Sequence, residues 1–274
     1  MLKKEWQLNR RLFLITSALL LLCAAMADTV SSQSKDTTRA NVVTLAQGCI
    51  LVLDAKIDTA DSLSIEIIAR IQNIIPQIQK LIPSDSITID LAMSSNEVLP
   101  IYGVGGRTTS DHSLSMYFDP KNPNFRVEFL VRSLVHECLH PTRLRMPHWQ
   151  LTLLECMITE GLADHFMIEL LKGDQPAWTS ALTEKEIKQY LVKVKPVLLL
   201  KHELWNNEFT QNYFIPWMFG RKGDNPIPGW TGYTLGWRIV DNYLRAHPEV
   251  RASDLVFTPA EVIASSTPEL VDSK

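Results

Sequence analysis

The chain is expected to adopt an α+β fold, a small N-terminal sheet followed by a helical C-terminal part. Three observations carry that expectation. Period-two segments such as Ile87-Thr88-Ile89-Asp90-Leu91 fall in the first half, apolar stripes at helical spacing fill the second, and no internal repeat divides the 274 residues. The organisation read from the sequence is a signal segment at 1–27, a leader and first segment at 28–60, one domain at 61–265 and a tail at 266–274.

The elements follow in order. Lys3, Lys4, Arg10 and Arg11 precede a short apolar run that closes on Ala25-Met26-Ala27. A basic start, an apolar core and a small-x-small end mark a secretory signal, cleaved here before Asp28. The protein is thus expected to be exported, periplasmic or secreted. The alternative is a membrane anchor left uncleaved, for which the run is short against the roughly 20 residues that span a bilayer. Ser31 to Arg39 is polar and reads as a flexible leader. Asp61 to Leu81 carries Leu63, Ile67, Ile71, Ile74, Ile75 and Ile78 at helical spacing, with a kink expected at Pro76. Ile87–Leu91 is a strand and Leu114–Phe118 a second, stopped by Asp119-Pro120; Gly103–Arg107 reads as a glycine-rich connection between them. Helices are then expected at 124–140 and 151–171. Thr183 with Glu186 forms a capping box for a further helix. The turn-forming stretch Gly220–Gly232 precedes a late helix at 233–246 and a short one at 260–265.

Removing residues 1–27 takes four basic residues and Glu5 from the 27 basic and 30 acidic residues of the whole chain. That leaves 23 and 29, a net charge near −6. No basic patch interleaved with aromatics is present, so no nucleic-acid partner is expected. The processed chain carries no signal for stable membrane association either. Cys49, Cys138 and Cys156 are too few for a disulfide framework. They read as small buried residues, with a bridge between Cys138 and Cys156 as the alternative.

The chemistry concentrates in His136-Glu137-Cys138-Leu139-His140, an H-E-x-x-H motif on an amphipathic helix. Residues four apart share a helical face, so both imidazoles reach one metal ion. Glu137 stands where a carboxylate takes a proton from metal-activated water. A catalytic zinc takes three protein ligands and keeps one position open. The next helix offers Glu155 and Glu160. Its apolar stripe is Leu151, Leu154, Ile158, Leu162 and Phe166, while Glu160 and Asp164 share another face. Glu160 is the expected third ligand and Glu155 a solvated residue. Gly161 and Ala163 have little side chain, which is expected to let the metal helix approach closely. Asp164 is placed to accept the second ring N–H of His136 or His140; an exposed helix Asp is the alternative. Pro141 disfavours helical geometry at the residue before it. The metal helix is therefore expected to end at His140, with Pro141 and Pro147 bracketing the turn.

With Glu160-Gly161-Leu162-Ala163, the motif resembles the gluzincin class of zinc metallopeptidases, and within it a family of predicted Zn-dependent proteases. Gly232-Tyr233-Thr234-Leu235-Gly236-Trp237-Arg238-Ile239-Val240 is similar to that family's pattern of a Tyr and Gly opening a late helix, and the resemblance covers roughly residues 85–265. It implies a zincin-like pair of metal-binding helices beneath an edge strand, Zn2+ as cofactor, and peptide or protein substrates. In such enzymes a strand beside the metal helix pairs with extended substrate through main-chain hydrogen bonds, and Leu114–Phe118 is given that part.

Glu137 is then the general base, delivering its proton to the leaving amine. Tyr233, between a glycine-rich loop and a helix, is the candidate donor to the developing oxyanion; a packed aromatic is its alternative reading. His148, His202 and His247 are further candidates, each read first as a surface or packing histidine. Two other functions compete. One is a zinc hydrolase of a non-peptide amide or acyl substrate. The other is a catalytically silent zinc-containing binding protein, against which the intact Glu137 argues.

Overall fold

A computed structural model describes residues 41–147, 149–201 and 207–271. The signal segment, the polar leader, His148 and His202 lie outside the described residues. The chain forms two compact units that divide between Leu144 and Arg145.

The first unit is built on a five-stranded mixed sheet. Its strands are β1 (Asn41–Thr44), β2 (Ile50–Leu53), β3 (Thr88–Met93), β4 (Val104–Ser110) and β5 (Ser113–Phe118), in the order β1-β2-β3-β5-β4. The β1–β2 and β4–β5 pairs are antiparallel, whereas β2–β3 and β3–β5 are parallel. Parallel neighbours need a crossover, and helix α1 (Ser62–Gln79) supplies it between β2 and β3. Asp61 caps α1 by accepting the Leu63 N–H at 2.8 Å. Ile67, Ile71, Ile74, Ile75 and Ile78 bury the expected face, and the helix runs through Pro76. Leu51, Leu53, Ile89, Leu91, Leu114 and Met116 alternate out of the sheet and are all buried. Each such side chain contributes about 1.5–3 kcal/mol of burial. Helix α2 (Val127–Leu144) packs on β4 and β5.

Several expectations are corrected in this unit. Residues 41–53, left without an element by the sequence reading, supply β1 and β2. The glycine-rich stretch is not a connection: from Val104 onward it is strand β4. Glycines leave no side chains to alternate, so the period-two signal is lost there. Gly105 is required by packing, since a Cβ on it would stand 2.0 Å from the Glu97 carbonyl oxygen. Leu114–Phe118 lies in β5, paired on both sides, and the terminal strand beside α2 is β4. Finally, α2 does not stop at His140 but continues through Pro141 to Leu144. Proline's φ is itself helical, but its ring removes the N–H that would reach the Glu137 carbonyl and crowds that carbonyl. Burial of Leu139, Pro141, Thr142 and Arg143 carries the helix past it, and the Thr142 hydroxyl donates to the Cys138 carbonyl at 3.1 Å.

The second unit is helical. Helix α3 (Leu153–Leu171) is followed by a 3-10 turn at Ala177–Ser180 and by α4 (Glu184–Leu198). The stretch 207–219 passes from one α-turn through a π-turn (Thr210–Phe214) into α5 (Ile215–Phe219). Helices α6 (Thr231–Ala246) and α7 (Ala260–Ala264) complete it. The Thr183–Glu186 capping box forms as expected. The stripe on α3 is buried throughout. Its main partner is α6, and the small residue Gly161 serves that contact: a Cβ on Gly161 would lie 2.4 Å from the Gly236 backbone. Further along, His165 stacks on Trp237 with centroids 3.7 Å apart and planes 10° apart, a ring nitrogen 3.3 Å from the Trp237 carbonyl oxygen.

Two outcomes are expected from this crossing. A Cβ on Gly236 would stand 1.9 Å from the Met157 carbonyl oxygen. Gly236→Ala, which in an open helix would stabilise by about 1 kcal/mol, should instead destabilise by about 2–3 kcal/mol, read as a lower urea midpoint. Burial holds the pKa of His165 below the ordinary histidine value. The unfolded chain therefore binds that proton more readily, so this contribution to stability is complete above a pH of about 6.5 and declines below it. Unfolding free energies between pH 7 and pH 5 should fall more steeply for the wild type than for His165→Gln.

Candidate metal centre

Helix α2 presents His136 and His140 one turn apart, their ring centroids separated by 5.0 Å. His136 and Glu137 are buried; His140 is part-exposed. Strand β4 passes so close to this turn that a Cβ on Gly106 would stand 2.5 Å from Glu137 Cγ. The absence of a side chain at residue 106 is what leaves room for the Glu137 side chain. Glu160 is part-exposed in the middle of α3, next to the residue that seats that helix on α6.

One ligand atom from each of His136, His140 and Glu160 lies within 4.8 Å of the others. Tetrahedral zinc takes nitrogen and oxygen donors at about 2.0–2.2 Å, which puts neighbouring donors a little over 3 Å apart, within a small rotamer adjustment of this grouping. Two imidazoles and one carboxylate are a catalytic donor set, since a structural zinc closes its fourth position with another protein ligand. Neither Cys138 nor Cys156 belongs to this grouping. Cys138 and Cys156 are free and buried, so the bridge considered for them is not formed. Burial pushes both thiols well above the ordinary range.

The surrounding residues correct the sequence reading at Glu155 and remove the exposed alternative at Asp164. Glu155 is not solvated: it is buried in the first turn of α3, where a carboxylate suits the helix N-terminus. There it accepts the Thr159 hydroxyl at 3.0 Å. Asp164 is not an exposed helix residue either, being fully buried. Its Oδ2 accepts the Trp178 indole N–H at 2.8 Å. Trp178 is held in turn by its carbonyl, which accepts the Thr234 hydroxyl of α6 at 2.8 Å. Sequence reasoning missed Trp178, which sits in a short turn with no periodicity to mark it. Tyr233 is buried in the first turn of α6, its ring 5.1 Å from that of Trp230, 5.9 Å from Phe219 and 6.4 Å from Trp178. His247 packs on Tyr243 at the end of the same helix, as a surface residue would.

An H-E-x-x-H helix with a glutamate from the following helix is the donor pattern of gluzincin-type zinc peptidases, and the His/His/Glu grouping is consistent with zinc. In agreement, the chain belongs to the family described as Predicted Zn-dependent protease (DUF2268), whose model matches residues 71–265. No curated protein matches the sequence. Among solved structures, the chain is similar to an aminopeptidase N family protein from Idiomarina loihiensis, with a TM-score of 0.42 and 16% identity. That match covers 82% of this chain and 40% of the other, so this chain spans about two-fifths of that protein's length.

Proposed function

We propose that this protein is an exported zinc peptidase in which His136, His140 and Glu160 hold the ion and Glu137 is the general base. The observation that carries the reading is the three-donor grouping, two of whose members stand on the turn of α2 that also bears a buried carboxylate. When bound, zinc makes water acidic enough to attack at neutral pH and polarises the substrate carbonyl. Glu137 takes the proton from the attacking water and passes it to the leaving nitrogen. Its confinement against Gly106 keeps the carboxylate from swinging away. Asp164, steadied by the Trp178 N–H, orients a ligand imidazole. Tyr233 donates to the developing oxyanion. The terminal strand β4, rather than β5, is where an extended peptide adds to the sheet, because it lies beside α2 at the sheet's end. The basic and apolar segment at 1–27 supports export.

Two substitutions separate the roles. Glu137→Gln should keep zinc affinity and melting temperature while turnover of a diverse peptide mixture falls by about 100-fold or more. Glu160→Ala should weaken zinc binding, in competition with a chromophoric chelator, by more than the roughly 10–100-fold expected for an outer partner such as Asp164. Unchanged zinc affinity in Glu160→Ala would place the third ligand elsewhere.

A further inference from the structure

Four aromatic rings meet in the second unit. Trp230 lies 6.1 Å from Trp178, 5.9 Å from Phe219 and 5.1 Å from Tyr233 by ring centroids, and Phe219 and Trp178 each approach Tyr233 as well. Tyr233 is buried at the base, whereas Trp178, Phe219 and Trp230 keep part of their surface exposed.

The chain goes to some expense to hold these rings together. The loop between Phe219 and Trp230 is closed by reciprocal N–H···O=C bonds between Arg221 and Ile227, both 2.9 Å. Gly220, at φ +93°, sits so near Gly229 that a Cβ would meet its Cα at 2.9 Å. That closure sets Phe219 and Trp230 on the two sides of one pinched loop. Trp230 itself adopts φ +64°, a left-handed conformation that costs a non-glycine residue about 1–3 kcal/mol, and its side chain makes no capping bond to α6 in return. The cluster is also tied to the metal centre. The Trp178 indole donates to Asp164, which stands one helical turn beyond Glu160 on α3.

We propose that Trp178, Phe219 and Trp230 form a substrate subsite for a large apolar side chain, aromatic or long aliphatic. The proposal rests on the peptidase reading above. The three rings offer apolar faces and edges at aromatic-pair spacing. The carboxylate that touches them, Asp164, is fully buried and engaged with the indole N–H, so it supplies no exposed counter-charge for a basic side chain.

The test uses the zinc-loaded Glu137→Gln protein, which is made to hold peptide without cleaving it. It is titrated with two fluorescently labelled Ala-rich peptides of equal length and charge, one with a single central Phe. The Phe peptide should bind about 10-fold tighter or more. That preference should drop below about 3-fold when either Phe219→Ala or Trp230→Gly is added, with zinc affinity retained. Equal affinity for the two peptides, or a Phe preference that survives both substitutions, overturns the subsite. Failure of the peptidase reading shows separately, as an absence of new peptide termini from the zinc-loaded wild type.

Discussion

The backbone contact between Gly161 and Gly236 is the constraint on which the second unit depends. Helices α3 and α6 approach until a methyl group on either glycine would overlap the other helix. Helices normally stand 8–10 Å apart, held off by their side chains, and two glycines remove that spacer. Everything this unit brings to the chemistry is referenced to the crossing. Glu160 precedes Gly161, Asp164 follows it by three residues, and Tyr233 stands three residues before Gly236. Thr234, on the same helix, holds the Trp178 carbonyl. A rigid, close crossing turns a carboxylate on a mobile side chain into a donor with a defined origin.

Glycine does comparable work in the first unit. Gly106 in β4 faces Glu137, and any side chain there would occupy the volume of the carboxylate's own stem. The same strand ends the sheet, so the element that confines the proposed base is also the one proposed to receive substrate backbone. Packing and function therefore constrain the same few residues.

How much of this was legible in the sequence follows from the range of each interaction. The spacing of His136, Glu137 and His140 is local and periodic, so their shared face could be read directly. Glu160 followed from the phase of the α3 stripe, which is also local. The partner of Gly161 was misread, because its small size announces a close approach without saying to what; the neighbour is α6 and not the expected metal helix. Strand β4 was hidden because glycines carry no alternation, and its position at the sheet's end is a property of topology. Pro141 was read by its local preference, which burial of the residues around it overrides. Burial of Glu155 and Asp164 went against charge alone, and the hydroxyl and indole donors that receive them lie where no spacing rule would look.

The central claim is a zinc ion bound by two imidazoles and one carboxylate, with no thiolate. X-ray absorption at the zinc edge, on the wild-type protein loaded with one equivalent of zinc, tests it most directly. The account predicts a first shell of nitrogen and oxygen only, at about 2.0–2.2 Å, with the outer-shell scattering of imidazole rings. A sulfur contribution at about 2.3 Å would put Cys138 or Cys156 on the metal and contradict the account.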